Sequence, residues 1–288
     1  MTLEEFVFTS VKQLSELYSR EESRSMAVQL LSVYLDIPQY KYISEPNKLI
    51  PKEIVIKLQD ALSQLCQAKP LQYVLGFAEF AGNKFKVGEG VLIPRPETEE
   101  LFRLVVNDCE GMEVKYDGFN ILDACTGSGC LAYSLAQKFS EAQVYGCDIS
   151  DEALNIAFKQ KIKITGAKPI FFRADILMPP PAGLPQFDVI VSNPPYVCNK
   201  EKELMRPNVL KFEPPEALFV PDDNPLLFYK ALTEWINKLL KKNGRCFLEI
   251  NEAFGDQMKN LMQSHGFKYV EVIKDINGKD RFIVIKST

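Results

Sequence analysis

The segment Ser192-Asn193-Pro194-Pro195-Tyr196 carries the residue types in this chain that are best suited to chemistry. Proline cannot donate a hydrogen bond and holds the turn rigid, which leaves the Pro194 carbonyl free as an acceptor. The side-chain carbonyl of Asn193 is a second acceptor, and Tyr196 offers a ring on which a planar group can stack. Asn-Pro dipeptides also occur as plain turns. Two acceptors aimed at one NH₂ group nevertheless predict a site that orients its nitrogen.

A glycine-bearing loop lies upstream of that segment. Residues 123–130 read Asp-Ala-Cys-Thr-Gly-Ser-Gly-Cys, between a short apolar run and a predicted helix. Glycines let backbone N–H groups approach a ligand closely, and the start of a helix is electropositive. The loop is typical of nucleotide binding, although tight packing alone could also require its glycines.

Two carboxylates follow the next apolar runs. Asp148 stands about twenty residues after the loop, where a carboxylate can accept hydrogen bonds from ribose hydroxyls. Its alternative role is helix capping beside Ser150. Asp175 can accept from the exocyclic amine of an adenine, and Ile176 can cover the ring. The loop holds no basic residue, so adenosine without phosphates fits better than a phosphate-bearing ligand.

All these residues come at the ends of predicted strands. Strands are expected at residues 120–123, 143–148, 170–172, 187–191, 245–250, 269–273 and 281–285. Helices alternate with them, at residues 130–139, 226–240 and 254–265, and a further helix is capped by Ser150 and closed by Gly166. Apolar strands alternating with helices predict a mostly parallel sheet covered on both faces. Asn277-Gly278 predicts an antiparallel hairpin at one edge. Ligands of such sheets lie beyond the carboxyl ends of the strands.

The first part of the chain has a different pattern. Residues 1–75 show helical spacing of apolar side chains and no chemical motif. From residue 76, glycines separate short β-like runs at 77–80, 84–87 and 91–93, which suggests a hairpin between two domains. Pro94 and Pro96 then stiffen the segment that carries Arg95 and begins a helix.

Composition excludes several classes of function. The chain has 288 residues and a net charge of -4, with no basic stripe for nucleic acid. Seven cysteines form no CxxC pair, which fits reduced thiols in the cytoplasm. The one histidine, His265, gives no basis for a metal centre. No run of about 18 apolar residues and no secretory signal are visible, so we expect a cytoplasmic protein without membrane contact, and a monomer by default.

Beyond these features, the sequence resembles the class I S-adenosylmethionine methyltransferases, and among them the HemK/PrmC family of release-factor glutamine methyltransferases. Residues 92–101, Leu-Ile-Pro-Arg-Pro-Glu-Thr-Glu-Glu-Leu, are similar to the family's specific IPRPxTE stretch. Residues 70–80, 121–129, 193–196, 212–218 and 280–281 follow in the family's order. The likeness covers nearly the whole chain. Cys125 departs from it, since the family usually has glycine there, and so does Asn251, where glycine or histidine is frequent.

The resemblance implies a Rossmann-like α/β fold with a mostly parallel seven-stranded sheet and a small N-terminal helical domain. The domains would be a substrate-docking domain at 1–75, a β-hairpin linker at 76–94 and a methyltransferase domain at 95–288. The activity implied is methyl transfer from S-adenosylmethionine, leaving S-adenosylhomocysteine, to the glutamine in the Gly-Gly-Gln loop of class I peptide-chain release factors. No direct contact with nucleic acid is implied.

Family analogy also assigns the site residues. The catalytic residues would be Asn193, Pro194 and Tyr196, and together with Pro195 and Arg95 they would bind the substrate. The cofactor would be bound by residues of the loop, of the later strand ends and of the substrate turn: Cys125, Thr126, Gly127, Ser128, Gly129, Asp148, Asp175, Ile176 and Asn193. No metal ligand is implied.

Two other functions remain open from the sequence. An adenine-N6 methyltransferase acting on DNA or RNA would share the Asn-Pro-Pro-Tyr segment, but the acidic composition and the missing basic recognition domain count against it. A silent adenosine-binding scaffold protein would not require the intact loop, Asp148 and the Asn193 turn together.

Overall fold

The computed structural model of the protein describes residues 1–109 and 118–287. By packing, these divide into two compact units. One unit comprises Met1–Phe77 and Arg206–Phe212, and the other comprises Ala78–Met205 and Glu213–Thr288.

The first unit is built of helices. Thr2 begins the first of them by accepting a hydrogen bond from the Glu5 N–H while its own N–H donates to the Glu5 carboxylate, which satisfies two free N–H groups. Ser19 caps the second helix in a similar way. Leu3, Leu30 and Leu58, from three different helices, are fully buried in one apolar core. The helices of residues 1–77 are α1 (Leu3–Leu14), α2 (Arg20–Leu35), α3 (Lys41–Ser44), α4 (Lys52–Cys66) and α5 (Leu71–Leu75).

The second unit is built on a seven-stranded sheet. Before it, β1 (Phe77–Phe80) and β2 (Asn83–Lys86) form a two-stranded sheet whose Phe80 and Phe85 are buried in the larger core. The large sheet contains β3 (Asn120–Ala124), β4 (Gln143–Asp148), β5 (Ile170–Arg173), β6 (Phe187–Ser192), β9 (Leu240–Glu249), β10 (Tyr269–Lys274) and β11 (Asp280–Lys286). Its order is β10-β11-β9-β6-β3-β4-β5, and the two pairs that involve β11 are antiparallel. The predicted seven-stranded, mostly parallel sheet is therefore confirmed.

Helices cover both faces of the sheet. In β6, Val189 and Val191 face one core and Ile190 the other, as expected for a strand buried on both sides. The first core is closed by α6 (Pro96–Cys109), α7 (Cys130–Lys138) and α8 (Asp151–Phe158), and the second by α10 (Leu227–Leu239) and α11 (Gly255–Ser264). The helix α9 (Pro207–Phe212) belongs to the helical unit, and the short parallel strands β7 (Val197–Cys198) and β8 (Phe219–Val220) were not predicted.

Two sequence expectations are wrong. Helix α8 ends at Phe158 rather than near Gly166. The side chain of Gln160 accepts from the Lys86 N–H at 2.8 Å and donates to the Lys86 carbonyl at 2.9 Å, so the chain is held against β2 and leaves the helix. The predicted strand at 91–93 is absent, because the Ile93 N–H donates to the carboxylate of Glu213 instead of to a neighbouring strand.

Candidate active site

The carboxyl ends of four neighbouring strands meet at one cavity. Register places Ala124 of β3 beside Cys147 of β4 and Ser192 of β6, and Asp148 beside Arg173 of β5. We call this opening the strand-end cavity. It is lined by Gly90, Val91, Leu92, Cys125, Gly127, Cys147, Asp148, Ile149, Ser150, Ala153, Ala174, Asp175, Ile176, Leu177, Asn193, Pro195, Pro214, Glu216, Ala217 and Phe228. Six of the expected cofactor residues thus share one opening: Cys125, Gly127, Asp148, Asp175, Ile176 and Asn193.

The glycine loop after β3 is held by left-handed backbone. Cys125, Gly127 and Gly129 have φ angles of 60°, 53° and 79°. A side chain at 129 would also meet the Phe171 ring at 3.1 Å, so this position needs glycine for space as well as for conformation. Cys125 shows that a cysteine can occupy the left-handed region here, and its side chain lines the cavity. Burial raises the pKa of the Cys125 thiol well above its ordinary value, which keeps it neutral.

The remaining loop residues fix the loop and do not line the cavity. Thr126 is buried; its N–H donates to the Cys147 carbonyl at 2.9 Å and its hydroxyl donates to Asp123 at 2.6 Å. Ser128 is also buried, and Gly129 is the residue before α7. These residues therefore influence the shape of the cavity by holding the loop in place, without lining the cavity themselves.

Asp123 is a buried carboxyl beneath the loop. Its Oδ2 accepts from Thr126 and from the Ala132 N–H, while Oδ1 has no hydrogen-bond partner in the structure described. Burial raises the pKa of Asp123 to about 7. From the sequence, Asp123 was only the first residue of the glycine loop and had no predicted role of its own, although a charged residue at the end of an apolar strand is a signal in itself.

Asp148 connects the ends of two strands. Its Oδ2 accepts from the Gly127 N–H at 2.9 Å and its Oδ1 from the Ser150 N–H at 3.0 Å. Ser150 in turn caps α8. Burial raises the pKa of Asp148, and the backbone N–H groups act in the opposite direction. The cap of α8 is therefore Ser150 and not Asp148 itself, whose carboxylate orders the loop and also lines the cavity.

The next strand end is less enclosed. Asp175 accepts from the Leu177 N–H at 2.9 Å, which orients its carboxylate at the cavity. Ile176 is 5% exposed and packs in the second core. The pair offers an acceptor beside an apolar surface, as adenine recognition requires.

The Asn193 turn is anchored from three sides. The hydroxyl of Ser192 donates to the Ala124 carbonyl at 2.7 Å and joins the turn to β3. The side-chain amide of Asn193 donates to the hydroxyl oxygen of Thr98 at 2.9 Å, and the Tyr196 hydroxyl donates to Glu249 at 2.9 Å. Burial raises the pKa of Tyr196 well above its ordinary value. Asn193 and Pro195 line the cavity, and Pro194 and Tyr196 are their direct neighbours in the same turn.

Glu249 is a second buried acid, and it was not predicted as a site residue although it is a lone acid in a predicted apolar strand. Its side chain is fully buried at the end of β9, where Oε2 accepts from the Thr98 hydroxyl at 2.9 Å and Oε1 from Tyr196. The Tyr229 hydroxyl donates to the backbone carbonyl of Glu249 at 2.8 Å. Burial raises the pKa of the Glu249 carboxyl to about 7.

Arg95 forms an ion pair with a buried acid. Its guanidinium lies 2.6 Å from Oε1 of Glu213, whose side chain is 1% exposed, and the Ile93 N–H donates to the other oxygen at 3.1 Å. Pro214, Glu216 and Ala217, just after Glu213, line the cavity. The pair therefore fixes one wall of the cavity. The sequence singled out both segments but did not indicate that they meet.

None of the helices in residues 1–109 and 118–287 has the length and the apolar composition that a bilayer span requires. No group of three or more histidine, cysteine or acidic side chains is placed to hold a metal ion in that part of the chain.

Comparison with known proteins adds a second line of evidence. A model of the PrmC N-terminal domain matches residues 10–76, and a model of a methyltransferase domain matches residues 121–207. The release factor glutamine methyltransferase of Bacteroides thetaiotaomicron is 38% identical over 272 residues, or 94% of this chain and 95% of its own. That of Flavobacterium psychrophilum is 37% identical over 276 residues, or 96% and 95%. A solved release factor-specific protein-(glutamine-N5) methyltransferase from Alicyclobacillus acidocaldarius is 25% identical, with a TM-score of 0.43, over 70% of this chain and 99% of that one.

Proposed function

The chain belongs to the family of release factor glutamine methyltransferases, and we propose that it methylates the side-chain amide nitrogen of the glutamine in the Gly-Gly-Gln loop of class I peptide-chain release factors, which would tune translation termination. The observation that carries this proposal is that Asn193 and the glycine loop line one cavity. A group that orients an amide and a loop suited to a nucleoside are thereby brought within reach of each other.

The lining of the cavity supports S-adenosylmethionine as methyl donor. Among the residues that the structure describes, the lining contains the carboxylates of Asp148, Asp175 and Glu216, and no lysine, arginine or histidine. Such a surface repels phosphate and attracts a cationic ligand. S-adenosylmethionine, which becomes S-adenosylhomocysteine, supplies an electrophilic methyl group on a positively charged sulfur.

Each strand end has a proposed share in binding that cofactor. The loop Cys125–Gly129 holds its methionine and ribose portions, and Asp148 accepts from the ribose hydroxyls. Asp175 accepts from the adenine amine, and Ile176 covers the ring. Thr126, Ser128 and Gly129 contribute by holding the loop, which their buried positions support.

Orientation of the acceptor is the main task of the Asn193 turn. An amide nitrogen is a poor nucleophile because its lone pair is delocalised into the carbonyl. Asn193 and the Pro194 carbonyl accept from the substrate NH₂ and face the positive charge that grows on it during transfer. Tyr196 bounds the acceptor site. Arg95 contributes indirectly, because its ion pair with Glu213 holds one wall of the cavity in place. No strong base is required before transfer, since the nitrogen proton becomes acidic once the methyl group has added.

The domains have distinct proposed roles. The helical domain of residues 1–75 docks the release factor, the hairpin segment 76–94 connects, and residues 95–288 carry out the transfer. A protein that modifies a translation factor works in the cytoplasm, without direct contact with nucleic acid, and we expect it to act as a monomer.

Mass spectrometry of a release factor tests the proposal. A purified release factor is incubated with this protein and S-adenosylmethionine, digested, and mapped for added methyl groups. The expected result is a single methyl group on the side chain of the loop glutamine. A methyl group on another residue, or transfer to a DNA duplex in a parallel reaction with labelled cofactor, would contradict the assignment.

A further inference from the structure

A chain of hydrogen bonds leads from the buried carboxyl group of Glu249 to Asn193. Glu249 accepts from the Thr98 hydroxyl through Oε2 and from the Tyr196 hydroxyl through Oε1, each at 2.9 Å. The Thr98 oxygen then accepts from the Asn193 amide, also at 2.9 Å. Thr98 is 4% exposed and Glu249 is fully buried, so water does not compete for these bonds.

The direction of these bonds determines which end of Asn193 faces the strand-end cavity. A hydroxyl group carries one hydrogen, and Thr98 donates it to Glu249, so Thr98 can only accept from Asn193. The Asn193 NH₂ group must therefore point to Thr98 and its carbonyl oxygen away from Thr98. An asparagine amide is nearly symmetric in shape, and packing alone does not distinguish its two orientations. The carboxylate supplies the distinction, because an ionised carboxylate only accepts.

We propose that Glu249 is a positioning residue for methyl transfer, which acts through Thr98 to present the Asn193 carbonyl to the substrate amide and through Tyr196 to fix the far side of the same turn. This inference rests on the proposed function. It adds that a carboxyl group outside the cavity controls the polarity of the acceptor site.

The surroundings of Glu249 make this control dependent on pH. Thr98 and Glu97 face it from α6, Tyr196 from the turn after β6, Tyr229 from α10 and Arg281 from β11. Burial outweighs the donors and raises the pKa of the carboxyl to about 7. Below that pH the group carries a proton and must donate it, so Thr98 or Tyr196 has to reverse its bond. Methyl transfer should consequently fall as the pH decreases through about 7.

The first test is the substitution Glu249→Gln in the full chain. Glutamine keeps the shape but offers one acceptor and two donors, so it cannot accept from Thr98 and Tyr196 on separate oxygens. We expect kcat to fall at least tenfold, with KM for the release factor changed less than threefold and the Kd for S-adenosylmethionine less than twofold. The melting temperature should not fall, because a buried charge has been removed. Asp188→Asn, at the opposite end of β6, is the matched control and should keep wild-type kcat.

The second test uses Thr98. Thr98→Ser keeps the hydroxyl and should retain kcat within threefold, whereas Thr98→Val should lose most of what Glu249→Gln loses, since Glu249 also acts through Tyr196. The double variant Glu249→Gln with Thr98→Val should lose little more than Glu249→Gln alone, because Thr98 and Glu249 act as one unit. The decrease in kcat as the pH falls through about 7 should be present in wild type and in Thr98→Ser, and absent in Glu249→Gln.

The third test does not depend on activity. In the protein labelled with ¹⁵N-asparagine, the Asn193 side-chain NH₂ signals should exchange slowly with water and shift with a midpoint near pH 7. Both properties should be lost in Glu249→Gln and in Thr98→Val. The inference would be overturned by a Glu249→Gln protein with wild-type kcat, or by Asn193 signals that remain the same as in wild type in both variants. If wild type does not methylate the release factor, the proposed function fails, and the NMR result still decides the role of Glu249.

Discussion

The carboxylate of Asp148 accepts a 2.9 Å hydrogen bond from the backbone N–H of Gly127, so the end of β4 and the glycine loop after β3 form one rigid element. Asp148→Asn offers one acceptor to the two N–H groups of Gly127 and Ser150 and leaves one of them unpaired. A bond to a charged group contributes about 1.5–3 kcal/mol, so we expect the Kd for S-adenosylmethionine to rise about 10- to 150-fold. Isothermal titration calorimetry measures it. The exposed neighbour Asp151, changed to Asn, is the control, and an Asp148→Asn protein that binds as tightly as wild type would contradict the assigned role.

Asn193 is expected to affect transfer more than cofactor binding. Asn193→Ala removes an acceptor that faces the substrate nitrogen in the transition state, and losses of about 10²–10³ in kcat are typical of such groups. Single-turnover methylation of a release factor measures the change, and fluorescence titration checks that the cofactor still binds. Asn199→Ala, an exposed position in the segment after β7, should behave as wild type. Near wild-type transfer by Asn193→Ala would show that another group orients the amide.

Asp123 makes stability depend on pH. Its pKa is raised from 3.8 to about 7, so the folded state retains a proton that the unfolded chain releases. The associated stability is complete below about pH 4 and is lost as the pH rises through 7. Wild type should therefore lose unfolding free energy as the pH rises from 5 to 8, and Asp123→Asn should not. The difference between the two proteins should shift in favour of the variant by about 1–4 kcal/mol over this range. Urea unfolding at both pH values measures the difference. Asp223→Asn, which is exposed, should show none, and an equal effect of Asp123→Asn at both pH values would exclude the buried carboxyl as its origin.

The ion pair of Arg95 and Glu213 predicts that substitutions at these two residues have non-additive effects on the free energy of unfolding. Arg95→Ala leaves the Glu213 carboxylate, on a side chain that is 1% exposed, with the Ile93 N–H as its remaining described partner. Because Arg95 itself is partly exposed, we expect a loss of about 2–4 kcal/mol in unfolding free energy. Adding Glu213→Gln should recover part of that loss, since the uncompensated charge is gone. Denaturant unfolding of the four proteins of the cycle measures the coupling, and strictly additive losses would show that the ion pair contributes nothing.

The parts of the fold that follow from local pattern were predictable from the sequence. Apolar runs bounded by glycine and polar residues gave the strands β3 to β6, and the end of each run carries a residue of the cavity. Asn277-Gly278 gave the antiparallel edge. These elements depend on short-range patterns, and so did the expected position of the Asn193 turn.

Long-range contacts explain what was missed. The end of α8 depends on Gln160, whose amide bonds to a residue 74 positions away, and the partner of Arg95 lies 118 positions away. Glu249 becomes significant only when β9 brings it to Thr98, 151 positions earlier. Cys125 differs in kind. The family resemblance marked it as a departure from glycine, and its φ of 60° shows that the loop keeps a glycine-like backbone with a cysteine in place.

The position of β11 has a consequence for synthesis of the chain on the ribosome. It comes after the other described strands in sequence, yet it lies inside the sheet, between β10 and β9, with Phe282 paired to Glu249. Until residues 280–286 have left the exit tunnel, β9 exposes an unpaired edge, and Glu249 lacks the neighbouring strand with which it pairs. Exposed strand edges are sites of aggregation. A nascent chain of this enzyme should thus complete the Glu249 side of its active site only after β11 has emerged and paired with β9.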